Sequence, residues 1–216
     1  MSYTDGMTDS PSRDALGDPR ASLRAEQVAQ TRAALVAAGR RLFGTAGFAA
    51  TSVEDIAREA RVTTGALYHH FPTKAAVFEA VFEELHADML EASVQAAAAA
   101  DGPVALLLAA IGAFLDQVLE PEVQRIIITD APAVLGLARF IELDERYAYA
   151  GFVAALQEAT EAGALRVDDP GTLARLLLGA LTRAGLLIAS SAEPKATRDA
   201  VAATMQALIS GFAAPG

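Results

Sequence analysis

Between residues 22 and 46, apolar side chains recur at steps of three, four or seven: Val28, Leu35, Ala38, Leu42 and Phe43, with Arg32, Arg40 and Arg41 on other faces. That spacing predicts an amphipathic helix, ended by Gly44 and Gly47. Residues 51–60, TSVEDIAREA, predict a second helix of two to three turns, with Val53, Ile56, Ala57 and Ala60 as its apolar face. Thr51 with Glu54 fits a capping box, and Ser52 competes for the cap. After Arg61-Val62-Thr63, either Thr63 or Thr64 can cap a third short helix that Pro72 stops. Thr73 then caps a long helix from Lys74 to about Ala99, with Val77, Phe78, Val81, Phe82, Leu85 and Met89 buried. Further helices are predicted over Pro103–Leu119, Glu122–Thr129, 138–162, Pro170–Ala189 and Pro194–Phe212. No segment alternates with period two. Ile126-Ile127-Ile128-Thr129 has strand propensity, but alone it cannot build a sheet.

The polar third helix stands out. TTGALYHHFPTK, residues 63–74, gathers two threonines, a glycine, a tyrosine, two histidines and a lysine, in a chain with only three histidines. Two short helices joined by a tight turn, the second one polar, spell a helix-turn-helix, whose second helix enters the DNA major groove. Thr, Tyr and His offer hydrogen bonds to bases and phosphates, and Gly65 permits close backbone approach. Helix N-termini near Thr51, Thr63 and Thr73 offer free amides to phosphate, and Lys74 adds a positive charge. His70 also has a local reading, as a cap for the following helix. Metal binding is not expected: His69 and His70 point about 100° apart on a helix, by its 3.6-residue turn. Glu83-x-x-His86 is half of a carboxylate-bridged metal motif without its second half.

Composition supports helix over sheet. The chain has 216 residues, 53% of them hydrophobic, with alanine and leucine dominant and no cysteine. A reducing cytoplasm is therefore compatible. The net charge of −10 argues at first against nucleic acid. Its distribution changes that. Residues 20–74 carry eight basic and four acidic side chains, whereas residues 75–216 carry eight basic and nineteen acidic ones. A basic segment thus precedes an acidic body. Residues 1–21 hold four aspartates and no apolar run, so we expect a disordered tail and no signal peptide. No membrane span is expected: the run 104–115 is shorter than the roughly 20 residues a bilayer needs, and the run 173–189 contains Arg175 and Arg183.

From Arg32 to Phe82 the chain resembles the DNA-binding domain of TetR-family transcriptional regulators. The residues carrying the likeness are Ala38…Leu42-Phe43…Gly47-Phe48…Thr51, then Val53…Ile56-Ala57…Ala60, then Gly65-Ala66-Leu67-Tyr68-His69-His70-Phe71…Lys74…Leu85. The run PEVQRIIITDAPAVLG, 121–136, looks like one found in a subgroup of these regulators. The resemblance implies an all-α fold of about nine helices: a helix-turn-helix domain over 22–73 and a helical ligand-binding and dimerisation domain over 74–216. It implies DNA contacts from Thr51, Thr63, Thr64, Gly65, Tyr68, His69, His70 and Lys74. Tyr68, His70 and Lys74 fall to phosphates; Thr63, Thr64 and His69 fall to bases. Leu67 and Phe71 fall to the core. One departure matters. Arg61 stands where the family often has glycine, so either the turn is strained or Arg61 reaches DNA.

In the acidic body, leucines cover most of the circumference of the 170–189 helix, and such a helix must be covered on all sides. A second copy of the chain is the simplest cover. The expected interface is Leu173, Leu177, Leu181 and Ile188, with Met205, Leu208 and Phe212 from the last helix. A cavity between the central helices is expected to draw on Phe114, Val118, Ile127, Phe140, Tyr147 and Phe152. Arg125, Asp130 and Arg146 are the expected polar anchors. So apolar a lining favours a lipophilic ligand. The expectation is a cytoplasmic, ligand-responsive dimeric repressor that binds pseudo-palindromic operator DNA and a small effector, without cofactor or metal. The competing reading is an interaction protein of the same fold that has lost DNA binding, supported by the net charge and Arg61. An enzyme is not expected, because no nucleophile–base pair, metal motif or phosphate-cradling loop is present.

Overall fold

The computed structural model describes residues 19–214. The expected tail over 1–21 lies outside the described residues as far as residue 18; the first helix begins at Pro19. Nine helices follow in order among the described residues. They are α1 (Pro19–Ala46), α2 (Val53–Glu59), α3 (Thr64–His70), α4 (Lys74–Ala97), α5 (Pro103–Gln117), α6 (Pro121–Leu135), α7 (Leu137–Glu161), α8 (Pro170–Ala189) and α9 (Pro194–Ser210).

Local chemistry sets these boundaries. Ser52, rather than Thr51, caps α2: its hydroxyl accepts from the Asp55 amide at 3.0 Å, while the Asp55 carboxylate accepts from the Ser52 amide at 3.2 Å. The Ser52 hydroxyl also donates to the Asp55 carboxylate at 2.5 Å, and this bond first of all, with the Arg58 guanidinium and the Ser52 amide, holds the Asp55 carboxyl below its ordinary pKa. Thr63 caps α3 and Thr73 caps α4, each hydroxyl accepting from the amide three residues on. Helix α6 is irregular. Its middle, Gln124–Asp130, is a π-turn. Pro132 has no N–H for the carbonyl of Ile128 and would crowd it, and the chain widens just before it. The Ala131 amide reaches back to the Ile126 carbonyl, and the Thr129 hydroxyl donates to the Gln124 carbonyl at 2.9 Å.

Helices α1 to α4 enclose an apolar centre. Leu35, Phe43, Ile56, Leu67, Phe78 and Phe82 are fully buried there. Phe43, Phe48 and Phe78 form an aromatic trio with centroids 5.3 to 5.8 Å apart. Every apolar residue expected on the inner face of α4 is buried. On α1, Val28 departs from its expected stripe and is half exposed.

The same test on α8 and α9 corrects the expected dimer face. Leu177, Leu181, Ile188 and Met205 are buried within the chain itself, and Leu173 is half-buried. Leu208 and Phe212 are exposed as expected, but the outward leucines of α8 are Leu176, Leu186 and Leu187. Helix α8 is long and apolar enough to cross a membrane by length and composition. Its packing supplies another explanation: Ala174, Leu177, Leu178, Leu181 and Ile188 fill the bundle, and Arg175 pairs with Glu145 at 3.1 Å. A Cβ on Gly185 would stand 2.5 Å from Ile128, so α8 lies directly on the π-turn.

Candidate nucleic-acid interface and internal cavity

Helix α3 buries Leu67 and lays Phe71 against the core, as expected. The opposite face exposes Gly65, Tyr68 and His69, with Thr64 and His70 half-buried beside it. Thr63 is exposed, and its oxygen already accepts from the Ala66 amide at 3.1 Å. Arg61 sits just before this helix, exposed, with φ 58°; it is the one non-glycine residue with positive φ among those described. The tight turn therefore does require the left-handed conformation that glycine favours.

Two expected DNA residues have other duties. Thr51 is buried and its hydroxyl donates to the Gly47 carbonyl at 2.9 Å, so its side chain is sealed away from any ligand. The Lys74 ammonium donates to the carbonyls of Phe48 and Thr51 at 2.7 and 2.8 Å and lies 4.1 Å from the Phe48 ring centre. Only one of its three protons remains for a phosphate. Much of the basic segment is also paired internally. Arg41 meets Glu59 and Arg58 meets Asp55.

A seam joins α1 to the acidic body. Arg40 makes two parallel bonds to Glu122, at 3.0 and 3.1 Å, and also reaches Asp88 and Glu84. Its guanidinium is held further above its ordinary pKa by the Glu122 carboxylate first of all. The Asp130 carboxylate accepts from the Phe48 amide at 2.8 Å, and the Arg125 guanidinium packs beside Gly47. The π-turn thus touches the loop that leads into α2.

Behind the seam lies a cavity of about 310 Å³, walled by α4, α5, α7 and α8. Phe114, Tyr147 and Phe152 line it as expected. Ile127 and Phe140 instead line a small adjoining recess that shares Phe114 and Asp144 with the main cavity. Val118 is buried outside the lining, and Arg125 and Asp130 belong to the seam. Arg146 turns outward to Glu83 at 2.8 Å. Sequence reasoning missed the polar wall. His86 is buried, with Nε2 3.2 Å from Asp144 Oδ1 and its ring stacked 4.5 Å from Phe82. Its partner lies 58 residues away, so no local pattern signals the pair. Burial pushes the nearby Tyr147 hydroxyl above its ordinary pKa, helped by Glu83, which keeps the phenol neutral. No cluster of three metal-binding side chains occurs among the described residues.

A short capped helix, a left-handed turn and an exposed polar helix define a helix-turn-helix unit, here fused to an all-helical body with an apolar cavity. A family model described as "Bacterial regulatory proteins, tetR family" matches residues 35–81, and one described as "Tetracyclin repressor-like, C-terminal domain" matches residues 104–212. The structure resembles a crystal structure of a TetR-family transcriptional regulator from Pectobacterium atrosepticum: TM-score 0.79, 33% identity, covering 89% of this chain and 98% of that one. It also shares its fold with RolR in complex with resorcinol, at TM-score 0.71 and 21% identity, over 86% of this chain and 90% of that one. Among curated proteins, the HTH-type transcriptional regulator TtgR of Pseudomonas putida is 43% identical over 61 residues, 28% of this chain. That match spans 29% of TtgR's own length. The chain belongs to the TetR family of transcriptional regulators.

Proposed function

We propose that this chain is a dimeric, cytoplasmic repressor that reads a pseudo-palindromic operator through α3 and leaves it when a small, largely apolar effector fills the cavity. The observation that carries this reading is the shared use of α4. Its first turn abuts α3 and the Lys74 bonds; its later turns, from His86 onward, wall the cavity. We divide the chain accordingly into a DNA-binding part over 22–73 and a ligand-binding and dimerisation part over 74–216. Thr64, Tyr68, His69 and His70 face the groove in this reading, with Arg61 and the spare proton of Lys74 on phosphates. RolR, bound to resorcinol on the same fold, supports a small-molecule effector. The exposed leucines Leu176, Leu186 and Leu187 with Leu208 and Phe212 support a face shared with a second copy.

Selection of bound DNA from a random pool tests the reading. Two inverted half-sites about one helical turn apart, or a related spacing, are expected. Recovery of no preferred sequence would leave the competing interaction-protein reading standing.

A further inference from the structure

The cavity wall carries a chemical preference. Among the described residues no lysine or arginine lines it, and Asp144 contributes a carboxylate. The Asp144 side chain is mostly covered, and Oδ1 is taken by His86 Nε2. An ionised carboxylate only accepts, so His86 Nε2 donates to it. Nδ1 is buried and has no partner among the described residues. No bond to Asp144 Oδ2 occurs among them either. Of the other lining hydroxyls, Ser93 donates to the Met89 carbonyl at 2.8 Å and Thr182 to the Leu178 carbonyl at 3.1 Å, while the Tyr147 hydroxyl makes no bond among the described residues. The rest of the wall is apolar, with Met89, Leu107, Phe114, Phe152 and Leu178 prominent. Leu90, Val94 and Leu106 line the cavity and are also exposed, which places its mouth between α4 and α5.

A carboxylate with an uncommitted oxygen, in an apolar chamber without lysine or arginine, favours a ligand that donates. It disfavours an anion, whose charge would lose water, meet Asp144 and find no lysine or arginine. We propose that the effector is an apolar molecule with a hydrogen-bond-donating headgroup, a hydroxyl or an amine, seated on the Asp144–His86 pair, and that carboxylate-headed lipophiles are rejected. This rests on the reading of the cavity as the effector site.

Calorimetric titration of the full chain with four compounds of one skeleton tests it: biphenyl, 4-phenylphenol, 4-phenylbenzylamine and biphenyl-4-carboxylate. A hydrogen bond to a charged acceptor corresponds to roughly ten- to hundredfold in affinity. The phenol or the amine should therefore bind at least about tenfold tighter than both biphenyl and the carboxylate; which of the two leads identifies the donor. Asp144→Asn, which keeps shape and one acceptor but removes the charge, should cut the discrimination against the carboxylate by about fivefold or more. Carboxylate or biphenyl binding as tight as the better of the two donors overturns the inference while leaving the cavity an effector site. Asp144→Asn with unchanged discrimination overturns the assigned role of Asp144. If none of the four binds, the cavity reading itself falls, and the inference with it. The unmodified chain decides the headgroup question even where the variant does not fold.

Discussion

At the residue scale, Arg61 holds a conformation that costs an L-residue roughly 1–2 kcal/mol, while glycine would give the unfolded chain added freedom that costs folding about 0.5–1 kcal/mol. The difference predicts that Arg61→Gly stabilises the fold by about 0.5–1 kcal/mol, read as a higher urea midpoint at unchanged m-value. Keeping arginine there makes sense if the side chain works. We predict that the same variant lowers the slope of log affinity against log salt by about 0.9, one phosphate contact. An unchanged slope would leave Arg61 without a DNA role. Lys74 is argued differently. Its removal strands two carbonyls, so Lys74→Met should cost ~1–3 kcal/mol of stability and weaken all DNA sequences alike. His69→Ala should leave the urea midpoint unmoved and relax the preferred sequence instead. A loss of stability comparable to that of Lys74→Met would show that His69 is structural.

At the element scale, α8 separates two kinds of leucine. Leu177 is buried within the chain, and a glutamate there is an unpaired buried charge costing several kcal/mol. Leu176 is 66% exposed in the single chain, so Leu176→Glu should leave a folded protein. Light scattering and circular dichroism together check this: Leu176→Glu should give a folded monomer, and Leu177→Glu a loss of helix. A dimer that survives Leu176→Glu and Leu187→Glu together would move the interface elsewhere. The sequence does not separate these leucines. A helix apolar on every side has no period that distinguishes inside from outside, so periodicity assigns Leu177, Leu181 and Ile188 to a partner they do not need. The short helices are far more legible, because Thr63, Thr73 and Pro72 mark their ends and Leu67 and Phe71 mark the inner face. In α6 the π-turn defeats the helical pattern. It changes the register by a residue, taking Arg125 and Asp130 away from the cavity and onto the α1–α2 loop. His86 is illegible for another reason: its partner is supplied by tertiary structure alone.

At the scale of the whole molecule, charge and geometry divide the labour. In the proposed reading the basic segment faces DNA, but the pairing of Arg40, Arg41 and Arg58 with carboxylates leaves few cations for phosphate. Binding should therefore fall with salt less steeply than the eight basic residues of 20–74 would suggest. Helix α4, with 24 residues, is about 36 Å long at 1.5 Å per residue. A small tilt at its cavity end displaces α3 at the other, and in a dimer it alters the distance between two reading helices. The seam gives a second route, from the recess lined by Ile127 and Ile128 through the π-turn to Asp130 and the Phe48 amide. Because such coupling is reciprocal, effector and operator must weaken each other by the same factor. The direct measurement is the affinity of 4-phenylphenol, or whichever donor-headed probe binds best, with and without saturating selected operator. The account predicts weaker probe binding on the operator complex, matched by an equal loss of operator affinity when the probe saturates. Equal probe affinity in both titrations would contradict it.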